Sequence, residues 1–228
     1  MDILYKDNRI VVALKPYGVE STDIPGGMPS LVRQALSEPT GCVRTVHRLD
    51  RVTGGVMLLA RSRVAAQLLS EQVRAHTFKK EYLALVHGEP GDGAYRDLLW
   101  RNPNERKSYV VQTGGKDVQE AVLHYRTLGT ADGLSLLHIS LETGRTHQIR
   151  AQFSAHGFPL VGDKKYGGEA LRAHEIALWS YALSFCHPQS GEAMRICANP
   201  PENTPWIYFK TVLDKLDLSA YNRDKSES

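Results

Sequence analysis

The first sixty residues alternate between apolar runs and polar or glycine-rich segments, a pattern that predicts strands joined by turns. The runs ILY and IVVALK flank the polar cluster KDNR, and we expect them to pair as a β-hairpin. A loop rich in Pro and Gly follows, after which the segment LVRQALSE favours a short helix. The run VMLLA, residues 56–60, predicts a short buried strand.

The next segment predicts an amphipathic helix followed by an interior strand. Ser62 is a candidate N-cap for a helix over residues 63–78, in which Ala66, Leu69 and Val73 recur at helical spacing. The segment EYLALVHGEP then carries apolar side chains at both odd and even positions. Because neighbouring side chains of a strand point to opposite faces, we expect this strand to be covered on both sides.

Residues 95–142 are rich in strand-forming side chains. SYVVQT, EAVLHYRTL and LSLLHISLE predict three strands, and GGKD and GTADG predict hairpin connections between them. The segment THQIRAQFSAHG then predicts a helix in which Thr146 is the N-cap, Ile149 and Phe153 share a face, and Gly157 is the C′ residue.

The last part of the chain predicts the short strands ALSFCH and MRICA, then a short helix and a polar tail. Neither an internal repeat nor a clear linker interrupts the pattern. We therefore expect one α+β domain over residues 1–210, with a mostly antiparallel or mixed central sheet flanked by helices, and a C-terminal helix and tail over residues 211–228.

The composition is that of an ordinary soluble globular protein, with 228 residues of which 42% are hydrophobic and 23% charged. No apolar run is long enough to cross a membrane, and the N-terminus lacks the features of a secretory signal. The three cysteines are scattered and have no metal-ligand spacing. These features predict a cytoplasmic protein.

The net charge changes this picture little. The balance is 28 − 25 = +3, which does not by itself indicate a nucleic-acid-binding protein. Residues 61–80 hold five basic side chains against Glu71, which is compatible with a phosphate-bearing partner. The surface of a solvated helix explains the same pattern, and from this feature alone it is the better explanation.

The stretch RTVHRLDRVTGGVMLLA places one carboxylate among positive charges. Asp50 follows Arg48 by two residues and directly precedes Arg51. Surface ion pairs are the common explanation of such clusters and stabilise proteins little. However, Asp50 lies just ahead of a Gly-Gly pair and a buried run, and the two glycines would let other backbone or a ligand approach closely. The arginines favour an ionised carboxylate, and such a group in a confined site can act as a nucleophile.

A second unusual charge is Arg145 in ETGRTHQIR. It lies beside the predicted N-terminus of a helix, where the helix dipole disfavours a cation by about 0.3–1 kcal/mol. An exposed arginine tolerates such a position, so chance explains the pattern. Alternatively, Arg145 points away from the helix towards a carboxylate or a phosphate. One hypothesis joins the two observations: Arg145 is the partner of Asp50.

Tyr82, in KKEYLALV, is the third candidate. Most strand tyrosines belong to a core or a sheet edge, and the alternative is a flat ring presented to a nucleobase. Nucleotide-binding and hydrolase motifs such as GxGxxG, GxxxxGK[ST] and GxSxG are missing. The nine histidines lack HxH and HExxH spacing, so we expect no metal site.

Four motifs, in order, resemble those of the RluA-type RNA pseudouridine synthases. HRLDRVTGGVMLLARS is similar to the family signature HRLD-x-x-T-S-G, and ILYKDNRIVVALKPYGV is similar to its opening hairpin and KP-x-G loop. KKEYLALVHG resembles the K-x-Y-x-A strand. LETGRTHQIRAQFSAHGFPLVGDKKYGG is close to G-R-T-H-Q-I-R followed by G-x-P and G-D-x-x-Y-G. The resemblance covers roughly residues 2–200 and implies a pseudouridine-synthase-type catalytic domain.

The resemblance also implies roles for individual residues. Asp50 corresponds to the catalytic aspartate, Arg145 to its arginine partner, Tyr82 to the tyrosine that stacks on the target uracil, and Arg48 to the arginine that helps to displace the base. The residues of the same motifs that we expect to bind substrate, together with Arg48, are His47, Thr146 and Gln148.

Two departures from the family pattern are visible. The first is Gly54, which stands where the signature has serine and which we expect to loosen the loop after Asp50 without removing a catalytic group. The second concerns the S4 RNA-binding domain that often precedes this region in large-ribosomal relatives. Because the match begins almost at Met1, we expect substrate affinity to come from the catalytic domain itself.

The expected reaction converts uridine in ribosomal or transfer RNA to pseudouridine, a part of rRNA or tRNA processing. The product is an isomer of the substrate, so no cofactor and no metal are expected; the expected partner is structured RNA, with no membrane, and the expected state is a monomer. Asp50 either adds to C1′ or helps to remove a ribose proton, and the sequence does not decide between these routes.

Two rival functions remain at this stage. One is a catalytically silent RNA-binding or ribosome-assembly module on the same fold. The other is a glycosidase, which uses two carboxylates; Glu142 and Asp163 are the weak candidates for the second acid.

Overall fold

The computed structural model describes residues 1–169 and 175–216. The strands of this part of the chain are β1 (Ile3–Lys6), β2 (Ile10–Lys15), β3 (Arg44–Thr45), β4 (Gly54–Ala60), β5 (Lys79–His87), β6 (Gly93–Asn102), β7 (Lys107–Val111), β8 (Val118–Ala131), β9 (Leu134–Leu141), β10 (Leu178–Cys186) and β11 (Ala193–Cys197). The helices are α1 (Met28–Ala35), α2 (Arg63–Arg74), α3 (Gln148–Ala155) and α4 (Lys210–Leu213), with 3-10 helices at Lys164–Tyr166 and Trp206–Phe209.

The chain divides into two compact units. Of the described residues, the first comprises 1–80, 179–200 and 213–216, and the second comprises 81–169, 175–178 and 201–212. The α+β class and the mixed sheet that the sequence predicts are confirmed, since β10 runs parallel to β4 while seven pairs are antiparallel: β1–β2, β2–β4, β3–β4, β10–β11, β6–β7, β6–β8 and β8–β9. The proposed boundary near residue 210 stays a prediction, and residues 217–228 of the predicted tail lie outside the described residues.

Strands of the first unit follow the order β1–β2–β4–β10, with β3 beside β4 and β11 beside β10. The predicted hairpin of β1 and β2 is confirmed. Strand β4 is buried along its whole length, and its even-numbered side chains pack with those of β2, β10, β11 and α2 in one core. This core holds β4 in place, and Asp50 lies four residues before the strand begins.

Helix α2 begins where the sequence predicts and ends earlier. Ser62 is its N-cap, and its Oγ accepts a hydrogen bond from Ala65 N at 3.1 Å. The sequence pattern extends to residue 78, but the helix ends at Arg74, because His76 adopts a left-handed conformation with φ of 57°. The turn carries Phe78 into the core instead.

Strands of the second unit follow the order β5–β9–β8–β6–β7. The GTADG hairpin is confirmed as the β8–β9 connection, and Asp132 and Gly133 at its tip both have positive φ. The expectation that GGKD forms a hairpin is wrong, because β7 and β8 both pair with β6, a strand that the sequence pattern does not delimit.

Helix α3 packs on one face of the β6–β7–β8 sheet through Ala151, which joins Leu99, Ala121 and Tyr166 in a small core. Gly157 is its C′ residue as predicted, with φ of 87°, and Phe158 N donates to Phe153 O at 2.8 Å. Thr146 is not its N-cap. That position belongs to His147, which is left-handed with φ of 56° and makes no side-chain capping bond.

Candidate active site

The segment that carries Asp50 is tied to the KPYG loop by side-chain and backbone hydrogen bonds. Lys15 Nζ donates to Thr53 O at 2.7 Å, to Arg51 O at 3.2 Å and to Pro16 O at 3.0 Å. Gly18 N donates to Arg51 O at 2.8 Å, and Asp50 O accepts from Thr53 N at 3.0 Å to close a turn. The backbone directly after Asp50 is therefore fixed at Arg51 and Thr53 by donors from the KPYG loop.

Lys15 is the centre of this arrangement, and its side chain is fully buried. Burial lowers the pKa of Lys15 to about 8, and the negative charge of Asp50 opposes that shift. A buried ammonium group needs acceptors, and three carbonyl oxygens supply them. Lys15 thus has two effects: its hydrogen bonds hold the loop, and its positive charge interacts with Asp50.

Leu49, directly before Asp50, is anchored as well. Ser21 Oγ donates to Leu49 O at 2.7 Å and accepts from Leu49 N at 3.0 Å, and Ser21 is 2% exposed. Asp50 itself is half-buried. A rigidly held, partly accessible carboxylate has the property that positioned catalysis requires.

The two other predicted residues of this unit differ in exposure. Arg48 is exposed. His47 is buried against Phe78, and its Nε2 accepts a hydrogen bond from Leu58 N at 3.0 Å. Burial, with a smaller contribution from the charge of Lys80, lowers the pKa of His47 to about 3. The imidazole is therefore neutral, and it joins the start of the HRLD motif to β4.

Gly54 lies under the indole ring of Trp179. A Cβ on Gly54 would be 2.6 Å from Trp179 Cζ3 and 3.2 Å from Tyr17 Cζ. The indole is fixed in turn, since its Nε1 donates to Ala198 O at 2.8 Å. The expectation that Gly54 loosens the loop is wrong, because this residue is buried in β4 and is tightly packed.

Gly55 has a different requirement. Its φ is +119°, and a Cβ there would be 2.3 Å from Ser180 O. The parallel pairing of β4 with β10 at Gly55 and Ser180 brings the two backbones this close. The Gly-Gly pair after Asp50 thus serves the packing of β10.

In the second unit, Tyr82 lies on β5, which is buried on both faces as the sequence predicts. The tyrosine is 6% exposed. It begins the buried part of the strand, after Lys79, Lys80 and Glu81, which are more accessible.

Arg145, Thr146 and Gln148 form a compact turn before α3. Gln148 Oε1 accepts hydrogen bonds from Arg145 N at 3.0 Å and from Thr143 Oγ1 at 2.8 Å, and its Nε2 donates to Val122 O at 3.1 Å. Arg145 Nε donates to Glu120 O at 2.9 Å. Gln148 is buried, whereas Thr146 is exposed and its carbonyl accepts from Ser108 Oγ at 2.6 Å.

The following motif, GDKKYGG, is tied to α3 by a buried ion pair. Arg150 Nε donates to Asp163 Oδ2 at 2.6 Å, and the two side chains are 6% and 1% exposed. The guanidinium also lies over the ring of Tyr166, at 5.0 Å from its centroid. Asp163 is thus a structural carboxylate, which weakens its candidacy as the second acid of a glycosidase. Glu142, the other candidate, is paired with His124.

The family model described as RNA pseudouridylate synthase matches residues 9–155, a range that contains Asp50, Tyr82 and Arg145. The chain belongs to the RNA pseudouridylate synthase family. Proteins with this activity are isomerases, because the product contains the same atoms as the substrate.

Relatives in this family are similar in sequence over most of the chain. RNA pseudouridine synthase YjbO of Bacillus subtilis (strain 168) is 38% identical over 213 residues, which are 89% of this chain and 74% of the relative. Ribosomal large subunit pseudouridine synthase D of Neisseria meningitidis serogroup A is 35% identical over 246 residues, covering 99% of this chain and 65% of that protein.

Solved structures share the pseudouridylate synthase fold. Human RNA Pseudouridylate Synthase Domain Containing 4 superposes with a TM-score of 0.74 at 23% identity, over 93% of this chain and 92% of that one. The domain-containing 1 protein gives the same TM-score at 24% identity. At this identity the likeness concerns the fold.

Two kinds of feature are absent from the described residues. Within residues 1–169 and 175–216, no cluster of three or more His, Cys, Asp or Glu side chains is arranged to hold a metal ion. No helix of the described chain has the length and apolar character needed to span a membrane.

The sequence did not single out Lys15, Ser21 or Trp179, three residues that hold or pack against the segment around Asp50. Lys15 gave one signal, its place in the family's KP-x-G loop. Trp179 gave none, since its importance comes from a contact 125 residues away in sequence, with Gly54.

Proposed function

We propose that this protein isomerises specific uridines of ribosomal or transfer RNA to pseudouridine, with Asp50 as the catalytic nucleophile. The observation that carries the proposal is the hydrogen bonding of Lys15 Nζ to Arg51 O and Thr53 O, which fixes the backbone that follows Asp50, the one acid of the HRLD motif, just before buried strand β4 begins. Holding a reacting group in place is a large part of enzymatic rate enhancement.

The chemistry of the reaction sets the task of each group. The N1–C1′ glycosidic bond breaks, the base turns, and a C5–C1′ bond forms; the C5 proton leaves and N1 gains a proton, so the atoms balance. Asp50 either adds to C1′ or removes a ribose proton to give a glycal-like intermediate. In both routes the carboxylate must be ionised, and cationic neighbours favour that form.

Arg145 is proposed to pair with Asp50 and orient it. Support comes from the way its backbone is held by Gln148, which fixes the turn and leaves Nη1 and Nη2 of the guanidinium with further donors. An Arg145→Ala variant should lose pseudouridine formation, and full activity would exclude this role.

Tyr82 is proposed to stack on the flipped uracil, and its hydroxyl is a candidate acceptor of the C5 proton. Flipping costs a few kcal/mol, and stacking on an aromatic ring can return roughly 1–3 kcal/mol. The exposed Arg48 and Thr146 are proposed to contact RNA. His47 and Gln148 are buried, and we propose that they support binding through the backbone that they hold.

Ribosomal RNA is the first candidate substrate. The relatives named ribosomal large subunit pseudouridine synthase D support it, at 35% and 34% identity in Neisseria and Xanthomonas. Transfer RNA remains the second, and a catalytically silent RNA-binding module remains the alternative function.

Mapping pseudouridines in total RNA from cells with and without this gene tests the proposal. The expected result is the loss of pseudouridine at one or a few uridines, which also identifies the substrate. If no uridine changes although the purified protein binds the same RNA, the silent module is the correct function.

A further inference from the structure

The hairpin formed by β6 and β7 ends in a partly exposed aromatic pair. Trp100 and Tyr109 are directly opposite each other in the antiparallel register, so their side chains share one face. Their ring centroids are 6.4 Å apart with an interplanar angle of 28°, an offset stacked arrangement. Trp100 is the accessible tryptophan of the three, since Trp179 and Trp206 are 5% and 2% exposed.

The same end of the hairpin is basic. Arg101, Arg106 and Lys107 lie on it, and Lys164 and Lys165 lie in the adjoining 3-10 helix. Among the described residues, none of the carboxylates lies within 4.0 Å of the guanidinium of Arg101 or Arg106. The acid of this turn, Glu105, is already engaged by Asn102 and Tyr109. In the part of the chain that the structure describes, Arg101 and Arg106 therefore lack a paired carboxylate.

The turn is also preorganised. Asn102 Oδ1 accepts hydrogen bonds from Asn104 N at 3.0 Å and Glu105 N at 3.3 Å, and Lys165 Nζ donates to Arg106 O at 2.7 Å. Lys107 Nζ lies over the ring of Tyr109, at 5.1 Å from its centroid. A surface that is already ordered loses little entropy when a ligand binds.

This surface adjoins the turn that carries Arg145. Ser108, between Lys107 and Tyr109, donates from its Oγ to Thr146 O at 2.6 Å, and Thr146 follows Arg145. Partly exposed aromatic rings interleaved with cations are the combination that binds unpaired nucleic acid, since rings stack on bases while cations bind phosphates. A protein partner for these cations would need matching carboxylates.

We propose that Trp100, Tyr109, Arg101, Arg106 and Lys107 form a second RNA-contact surface, made of residues other than the proposed catalytic residues Asp50, Tyr82 and Arg145. It binds an unpaired nucleotide of the substrate RNA by stacking on Trp100 and holds the adjacent phosphates with the three cations. The proposal rests on the proposed function for the identity of the partner, and its test does not depend on catalysis.

Direct binding of a fluorescein-labelled single-stranded RNA of about 12 nucleotides tests the surface. Three variants are compared with wild type by anisotropy: Trp100→Ala, Trp100→Phe and Arg101→Gln/Arg106→Gln. Arg101 and Arg106 are exposed, so Arg101→Gln/Arg106→Gln should keep the fold even if Trp100→Ala does not. Lys6→Ala/Arg126→Ala, which removes two exposed cations elsewhere, is the matched control.

The expected result is a loss of affinity of about tenfold or more for Trp100→Ala, a small loss for Trp100→Phe and none for the control. Arg101→Gln/Arg106→Gln should weaken binding and reduce the slope of log K against log salt by about 1.4, that is about 0.7 for each phosphate contact. RNA should quench wild-type tryptophan fluorescence, and this quenching should disappear in Trp100→Phe.

Measuring pseudouridine formation together with RNA affinity distinguishes failure of this surface from failure of the proposed function. With saturating RNA, the hairpin variants should form pseudouridine at the wild-type rate, with a raised KM. If wild type forms no pseudouridine but the hairpin variants lose RNA affinity, the surface stands and the proposed function fails. Wild-type affinity and salt slope in both Trp100→Ala and Arg101→Gln/Arg106→Gln would overturn the surface, as would equal competition by polyglutamate, which would indicate an acidic protein partner.

Discussion

Gly54 and Trp179 are partners in the parallel β4–β10 pair, and the indole occupies the space that a side chain at Gly54 would need. The family signature has serine at this position, so the tryptophan explains why the chain has glycine there. The two residues form a unit that sets the start of β4, four residues after Asp50.

Replacement of Gly54 by serine should destabilise the protein by about 1–3 kcal/mol, because the new Cβ overlaps Trp179 in a packed interior. Trp179→Leu should recover part of that loss in the double variant, which urea unfolding of all four proteins measures. Gly114→Ser is the control, since a Cβ at Gly114 meets nothing within 4 Å. Additive effects of the two changes would contradict the coupling.

Lys15→Met should lower the free energy of unfolding by about 2–3 kcal/mol and reduce turnover further. The substitution keeps the length of the side chain but leaves the carbonyl oxygens of Pro16, Arg51 and Thr53 without this donor. Chemical denaturation and single-turnover kinetics measure the two effects, and the exposed Lys79→Met is the control. A variant as stable and as active as wild type would show that the loop holds its shape without Lys15.

His47 should make stability depend on pH. Its pKa is about 3 in the folded protein and about 6.5 when unfolded, so the unfolded chain binds the proton first as the pH falls. Protonation of His47 in the unfolded chain therefore leaves the free energy of unfolding unchanged above pH 6.5. Between pH 6.5 and pH 3 it lowers that free energy by about 1.4 kcal/mol for each pH unit.

Unfolding free energies of wild type and His47→Gln between pH 7 and pH 5 measure this effect. The glutamine can accept the hydrogen bond of Leu58 N without titrating, so its curve should be flatter. Parallel curves for wild type and His47→Gln would mean that His47 does not titrate in this range.

Tyr82→Phe should bind substrate RNA about as tightly as wild type, whereas Tyr82→Ala should bind more weakly, because stacking needs the ring and not the hydroxyl. Tyr82 is buried, so the alanine also costs stability. Leu83→Ala, a core truncation at the neighbouring position of β5, serves as the control, with all variants measured where they are folded. Equal affinity of the phenylalanine and alanine variants would count against stacking.

The sequence predicted those elements that local patterns determine. The β1–β2 hairpin, the Ser62 cap, the two-sided burial of β5 and the role of Gly157 all depend on residues close together in the chain. The prediction that GGKD forms a hairpin was wrong because β7 and β8 both pair with β6 and not with each other. Turn residues alone do not determine which strands pair. Thr146 failed as N-cap because Gln148 fixes the turn before α3 through its own side chain.

The candidate site divides in the same way. Asp50, Tyr82 and Arg145 stand out through motif and charge pattern, so the amino-acid sequence alone is enough to propose them. The support around Asp50 could not be predicted in this way, since a lysine is normally exposed and its hydrogen bonds to Pro16, Arg51 and Thr53 require the folded chain. The packing of Gly54 could not be predicted either, because it depends on contact with Trp179, which is distant in sequence.

Asp50→Asn tests the central claim most directly. The gene-deleted cells that identify the modified uridine are complemented with wild type or with Asp50→Asn at equal protein levels, and pseudouridine is measured at that position. Wild type should restore the modification and Asp50→Asn should not, while the purified variant unfolds and binds RNA as wild type does. Modification by Asp50→Asn at a level near that of wild type would contradict the assignment of Asp50 as the catalytic nucleophile.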